Sequence, residues 1–429
     1  VTDTTDRSTR RTATAPNSRR NPRAVNDRDR PGANQHDLGS FNEVAIIETI
    51  RQAGTISRTE IAERTGLTQQ SVSRILRVLL ERQLLAEGEQ TRSERLGKPR
   101  TPVRLRPEAA HAVGILVDPD VVSVVLVDLD ARELERRSIH LDSEVSPADL
   151  VELIAVNVED VLSASKIDRG TFLGVGVAVP GPITADGDLL DLPLSQAWRN
   201  VPLQRLLDER LSYPVVVEKD GTAAAVGERW VGRTARAQDF VYLYFGTGMG
   251  SGLVLNGEAY RGVSSNAGEF GQLCAIRLGR IDASGRPQLV RECNPPVAIP
   301  EIALELGYSG TATTYREFCA EITAGDATVI AAVQQVADVI ALGAAALVDV
   351  LDLSTIVVGG PAFEPELQEI VVSTIERAVN TMPTAHRART VAVERSVVTG
   401  EAGAIGAAST IFHASFAPMV RRTQPYDLR

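Results

Sequence analysis

Between residues 39 and 106 apolar positions recur at helical spacing in three runs. Phe41, Val44, Ile47 and Ile50 follow Ser40 and Glu43, a serine and a glutamate three apart that can satisfy two free N–H groups at a helix start. Ser57 and Glu60 repeat that pairing ahead of Ile61 and Ala62, and Gly66 offers the left-handed residue that ends a helix. Thr68 then heads TQQSVSRILRVLLERQLL, in which Val72, Ile75, Leu76 and Leu79 form one apolar stripe. The opposite face carries Gln69, Gln70, Ser71, Ser73, Arg74 and Arg77. Short helix, glycine turn, helix is the grammar of a helix-turn-helix. The next stretch, TRSERLGKPRTPVRLRP, predicts a basic turn and an alternating strand, a wing with Lys98 and Arg100 at its tip.

From residue 107 the pattern shifts to α/β. AVGILVDPDVVSVVLVDLDA predicts two adjacent strands joined at Asp118-Pro119-Asp120, and a helix is expected over about 147–165. FLGVGVAVPGPI predicts a buried strand ending in a Pro-Gly-Pro turn, YPVVVEKDG a strand, and TAAAVGERW a helix. FVYLYFGTGMGSGLVLNGEAY predicts strand, glycine loop, strand. A buried helix is expected over 326–351, a strand at STIVVGG, a helix over 364–380, a strand at TVAVERS and a last helix at EAGAIGAASTIF. Strands mixed with helices predict two lobes with a cleft between them.

Charge divides the 429-residue chain. Residues 1–106 hold 20 Lys+Arg against 13 Asp+Glu, a balance of +7 that leaves −17 of the net −10 to the remainder. A basic front on an acidic body predicts a polyanion partner at the front. Residues 1–38 are arginine-rich and nearly free of large apolar side chains, the composition of a disordered arm. Its arginines are candidates for contacts to DNA phosphates. The start of the chain lacks the apolar stretch of a secretory signal, and no run of eighteen apolar residues appears. Three cysteines, Cys274, Cys293 and Cys319, are too scattered for a disulfide framework or a cysteine zinc site. A reduced, cytoplasmic setting is therefore expected.

GVGVAVPGPI, QAWRNVPLQRLL, VEKDGTAAAVGE, FGTGMGSGLVLNGEAYRG, NAGEFG and TIVVGGPAF occur in this order over about residues 108–410. This ordered set resembles the ROK family, named for repressors, open reading frames and sugar kinases. The resemblance implies a two-lobed actin/ribonuclease-H-like domain of the sugar-kinase type over residues 107–429. The winged helix-turn-helix over 39–106 is the layout of the family's repressors. Asp220 matches the kinases' catalytic base, but Lys219 and Thr222 stand where asparagines are usual. Glu269 matches a sugar-hydroxyl ligand, whereas Gln272 replaces a histidine that ligates zinc, and the cysteine cluster that would complete the zinc site is absent. Leu194 stands where the kinases often carry asparagine. The family's phosphate loop, Asp-x-Gly-Gly-Thr, aligns with Leu116, Asp118, Pro119 and Asp120, which removes an N–H and places carboxylates against a triphosphate.

The expected protein is thus a DNA-binding transcriptional regulator, a repressor, with no enzyme activity, no cofactor and no metal. Gln69, Gln70, Ser71, Ser73 and Arg74 are expected to read an operator, and Arg77, Lys98 and Arg100 to contact its backbone or minor groove. Lys219, Asp220, Glu269 and Gln272 are expected to bind a sugar, sugar acid or sugar phosphate. Lys219 would be the counter-charge of an anionic effector, or else simply the partner of a nearby carboxylate. The resemblance implies a homodimer or homotetramer. An active sugar kinase and a DNA-binding protein blind to effectors are the alternatives.

Overall fold

A computed structural model of the chain describes residues 35–88, 101–141, 145–189, 198–232, 238–398 and 401–416, with side chains from residue 42 onward. The first unit consists of α1 (Gln35–Ala53), α2 (Arg58–Thr65), α3 (Gln69–Glu81) and a two-stranded wing base. In that base β1 (Leu85–Glu87) lies antiparallel to β2 (Val103–Leu105). Ser57 and Glu60 form the reciprocal cap of α2, Gly66 ends it in the left-handed conformation, and Thr68 caps α3 through the N–H of Ser71. Helix α1 starts at Gln35, inside the stretch expected to be a disordered arm and ahead of the start expected at Ser40. No proline follows Pro31 there, and the weakest helix former, Gly39, costs about 1 kcal/mol. The arm before residue 35 and the wing tip with Lys98 and Arg100 lie outside the described residues.

The first lobe is a five-stranded sheet in the order β5-β4-β3-β6-β7. Its strands are β3 (His111–Val117), β4 (Val121–Asp128), β5 (Glu133–His140), β6 (Phe172–Val179) and β7 (Val215–Lys219). The outer face is covered by α4 (Pro147–Ser165) and α5 (Leu203–Arg210). The second lobe repeats the plan with the order β10-β9-β8-β11-β12. Its strands are β8 (Phe240–Phe245), β9 (Met249–Leu255), β10 (Glu258–Ala259), β11 (Thr355–Gly359) and β12 (Ala392–Arg395). It is packed by α7 (Phe270–Arg277), α8 (Pro295–Glu305), α9 (Tyr315–Ala324), α10 (Ala327–Leu351) and α11 (Gln368–Val379). Helix α10 is long and apolar enough to cross a membrane by composition, yet Val329, Val333, Val336, Ile340 and Ala344 are buried in this core.

Two remaining helices join the lobes. Helix α6 (Asp220–Val231) packs on β8 and β9, and α12 (Ala402–Phe416) packs on β3 and β6, and the two cross each other. They touch backbone to backbone. A Cβ on Gly406 would lie 2.0 Å from the Ala223 carbonyl oxygen, and one on Gly227 would lie 2.8 Å from the Gly406 Cα. On the sheet side, a Cβ on Gly114 would lie 1.8 Å from the Ala404 oxygen and one on Gly176 would lie 1.9 Å from the Ala407 oxygen.

The glycine stretch Phe245–Gly252 is not one long loop. Only residues 246–248 bend; Met249 to Gly252 continue into β9, with Tyr244 opposite Gly250 and Tyr242 opposite Gly252. Gly252 is a glycine because the Gly221 carbonyl oxygen lies 2.1 Å from where its Cβ would be. Strand β5 and helices α5, α7, α8 and α9 were not expected from the pattern. β5 is a polar strand whose side chains are mostly exposed, so it lacks the alternation that marks a half-buried strand.

The α6–α12 crossing sets backbone against backbone and yields the first prediction. Gly406→Ala should cost more than about 3 kcal/mol, read as a lower urea midpoint, because the clash is with backbone that cannot step aside. Gly325→Ala, in open space at φ 81, should cost about 1 kcal/mol. Equal losses at the two sites would contradict the close crossing.

Candidate effector cleft and nucleic-acid interface

On α3 the apolar stripe is turned inward: Val72, Ile75, Leu76 and Leu79 are buried. Gln69, Gln70, Arg74 and Arg77 are exposed, and Ser71 and Ser73 are half-buried beside them. These six side chains form one polar face at the capped start of the helix, where amides and a guanidinium can meet base edges.

The cleft is built where β7 runs into α6. Lys219 ends the strand and Asp220 opens the helix. The Lys219 side chain is 6% exposed, packs along the Pro-Gly-Pro turn, and forms an ion pair with Glu269, whose side chain is 48% exposed. Lys219 also donates to the Ala267 carbonyl at 3.4 Å. Lys219 is therefore not free as a counter-charge, and its partner is Glu269 across the cleft, not the adjacent Asp220. Asp220 accepts the Gly221 N–H at 2.6 Å. Burial pushes its carboxyl up to about 6, against lowering by that N–H and by Lys219. Gln272 is half-buried on the first turn of α7, next to Glu269 at the helix cap. Leu194 lies outside the described residues.

Two more links cross between the lobes, and neither was anticipated. Arg261 meets buried Glu218 at 2.5 Å. Asn266 grips the backbone of Ile183 twice, accepting its N–H at 2.9 Å and donating to its carbonyl at 2.6 Å. Together with Lys219–Glu269 they tie the NAGEFG segment of one lobe to the Pro-Gly-Pro turn and β7 of the other. Between these ties and the end of α12 lies a cavity of about 580 Å³ lined by Thr184, Gln204, Glu218, Arg261 and His413 among others.

At the end of β3 the Asp118–Asp120 turn leads into β4, with Val117 opposite Val122. Burial pushes the Asp118 carboxyl up to about 7, and Asp220, Glu401 and Asp120 add like charge. Cys274 and Cys293 lie buried in thiol-to-thiol contact, which raises the Cys274 thiol. No group of three or more metal-ligating side chains converges among the described residues, and Gln272 and two cysteines do not make a tetrahedral zinc set.

The far end of α6 holds the DNA-binding unit. Arg51 of α1 lies over the Trp230 ring at 4.9 Å and donates to the Trp230 carbonyl. Glu48 pairs with Arg51 at 2.6 Å and with Arg229 at 3.1 Å. The arginines hold the Glu48 carboxyl at about 2 despite the burial that opposes them. The Trp230 indole donates to the Leu129 carbonyl at 3.0 Å and stacks on Phe412. One helix thus begins in the cleft and ends under the helix-turn-helix. Nothing in the local sequence marked Glu48, Arg51 or Trp230, because their meaning lies in contacts between residues 179 positions apart.

The ROK family profile matches residues 113–414, and a MarR family profile matches residues 40–95. The xylose repressor of Bacillus spizizenii is 29% identical over 243 residues, 56% of this chain and 62% of that protein. The chain spans about six tenths of the length of the first curated relatives it matches. The DNA-binding transcriptional dual regulator NagC of Escherichia coli is 24% identical over 349 residues, 80% of this chain and 85% of that protein. A crystal structure of a ROK family transcriptional regulator, a homolog of the E. coli MLC protein, superposes with a TM-score of 0.71 at 19% identity, covering 89% of this chain and 97% of that one.

The cleft carboxylates set a pH dependence. A carboxyl raised from 3.8 to about 7 by folding stabilises the protein below its unfolded value and loses that contribution as pH rises through 7. Asp118→Asn should therefore raise the thermal midpoint at pH 8, by on the order of 1–4 kcal/mol in stability, and leave it unchanged at pH 4. An identical midpoint at pH 8 would mean that the carboxyl is solvated.

Proposed function

The chain belongs to the ROK family over residues 113–414 and carries a MarR-type winged helix ahead of it, and from that premise we propose that it is a cytoplasmic, sequence-specific DNA-binding repressor whose grip on its operator is set by a sugar or sugar-derived effector in the cleft. The observation that carries this reading is the course of α6, from Asp220 in the cleft to Arg229 and Trp230 under α1. A ligand that closes the lobes shifts that helix, and with it the DNA-reading unit, provided it binds one arrangement better than the other. The xylose repressor among the relatives supports a sugar as the effector class.

Gln69, Gln70, Ser71, Ser73 and Arg74 read base edges in this proposal, with Arg77, Lys98, Arg100 and the arginines of the N-terminal stretch on the phosphates or in the minor groove. Lys219, Asp220, Glu269 and Gln272 line the effector site. Of the three ligand classes, the Lys219–Glu269 pair favours a neutral sugar, since a sugar acid or phosphate would first have to displace Glu269 from the buried ammonium. A homodimer or homotetramer is proposed, and a two-fold dimer implies a pseudo-palindromic operator.

A sugar kinase is disfavoured. Asp118 and Asp120 oppose a triphosphate, each at about 1–4 kcal/mol for charges ~4 Å apart, and Pro119 has no N–H to offer it.

Two measurements on full-length protein test the proposal. Against an operator selected from fragmented genomic DNA, Gln70→Ala or Arg74→Ala should lose about 10- to 100-fold in discrimination from scrambled DNA. Arg77→Ala should weaken both DNAs alike and lower the salt dependence. Unchanged discrimination in all three variants would remove α3 from base reading. Arg51→Ala touches neither DNA nor cleft in this scheme. It should leave effector-free operator affinity within about threefold while blunting the sugar-induced change, as one coupling energy shared between sites requires. A full sugar response in Arg51→Ala would sever α6 from the switch.

A further inference from the structure

Among the described residues, the end of the cleft at the Asp118–Asp120 turn gathers carboxylates without a cation acting on Asp118. Asp118 and Asp120 stand on the β3–β4 turn, Asp220 opens α6, and Glu401 directly precedes α12. Each helix N-terminus supplies about half a positive charge, so α6 and α12 together offset about one carboxylate. Lys219 is already spent on Glu269. Burial, Asp220, Glu401 and Asp120 all act to raise the Asp118 carboxyl, and no cation stands among those causes.

A second, independent feature faces the same place. The Tyr244 side chain is 0% exposed and its hydroxyl has no hydrogen-bond partner. Its ring and hydroxyl sit where the three elements converge. A Cβ on Gly403, two residues past Glu401, would lie 3.3 Å from the Tyr244 hydroxyl and 2.9 Å from Leu116 Cδ1 at the end of β3. A Cβ on Gly250 would lie 3.7 Å from Asp220 Oδ1 and 4.0 Å from the Tyr244 Cβ. Asp118, Asp220 and Glu401 are the carboxylates whose charge reaches the hydroxyl. A buried hydroxyl without a partner forgoes a hydrogen bond that a ligand's N–H can supply.

We propose that this side of the cleft, between the Asp118–Asp120 turn, Tyr244 and Glu401, binds an organic ammonium ion. The ammonium donates to the Asp118 and Glu401 carboxylates and to the Tyr244 oxygen, and its charge offsets theirs. A metal ion fits less well, because these carboxylates do not close into a group that could hold one. The same chemistry has two sources, the amino group of an amino sugar lying along the cleft and a separate alkyl diamine. The site is independent of whether a neutral sugar regulates DNA binding.

Isothermal titration calorimetry of the full chain, near pH 7 and at constant ionic strength, tests this with glucosamine, putrescine, glucose, potassium chloride and magnesium chloride. Saturable binding of glucosamine or putrescine is expected, with a proton released as the ammonium lowers the Asp118 carboxyl, read from heats in buffers of different ionisation enthalpy. Glucosamine alone would assign the ammonium to a sugar and putrescine alone to a separate amine; either supports the site. Asp118→Asn and, independently, Glu401→Gln should weaken amine binding at least tenfold, and Tyr244→Phe severalfold, each variant first shown to be folded by circular dichroism. Amine binding unchanged in both carboxylate variants, saturation by magnesium without any amine, or no saturable amine binding would each overturn the proposal. Glucose binding and operator binding, measured on the same samples, report separately on the proposed function.

Discussion

The crossing of α6 and α12 is the contact on which the remainder of the molecule depends. Gly227 and Gly406 let the two helices meet backbone to backbone, and Gly114 and Gly176 let α12 sit directly on the first sheet. At the glycines the helices meet with no side chain between them, while further along Trp230 of α6 stacks on Phe412 of α12, so the crossing has little room to repack. The alanine face of α6, with Ala224 and Ala225, rests in turn on Phe240, Tyr242 and Tyr244 of the second sheet. The two lobes meet at this glycine-mediated crossing, and α6 passes through it from the cleft to the winged-helix unit. One helix, Asp220–Val231, links the cleft to the contacts that Trp230 makes with α1.

Electrostatics divides the cleft into two parts. On one side Lys219 and Glu269 neutralise each other, and Arg261–Glu218 and the Asn266 clamp add further ties between lobes. The exposed member of the pair is Glu269, while the Lys219 ammonium is buried. On the other side Asp220, Glu401 and Asp120 act on Asp118 with like charge. The fold is shared with a ROK family glucokinase of known structure, and local charge, not fold, sets which ligand a cleft accepts.

The helix-turn-helix was legible from the chain because its signals are local. Ser57 with Glu60, Gly66 and Thr68 each act on neighbours within four residues, and the structure places each in the capping role its type suggests. The strands of the sheets were legible where both faces are buried, as in β3, β4, β6 and β8. β5 escaped because its side chains face solvent, and α7 to α9 because their apolar positions serve a core assembled from distant segments. Within the site, Lys219, Asp220 and Glu269 stood out by position in recognisable motifs. Tyr244 and Glu401 did not, since a tyrosine in an apolar strand and a glutamate before a helix are ordinary in sequence.

Sequence by itself determined the helix-turn-helix, the buried strands and their order, the basic front with its polar α3 face, and the family over residues 113–414. Those properties follow from spacing, from caps and from residue types, all of which act over short range. Tertiary structure alone decided the partners. It assigned Lys219 to Glu269 and not to Asp220, brought Asp118, Asp220, Glu401 and Tyr244 to one place, and set Arg51 on Trp230. Charges and hydrogen bonds act through space, over a few ångströms, between residues that the chain holds up to 179 positions apart.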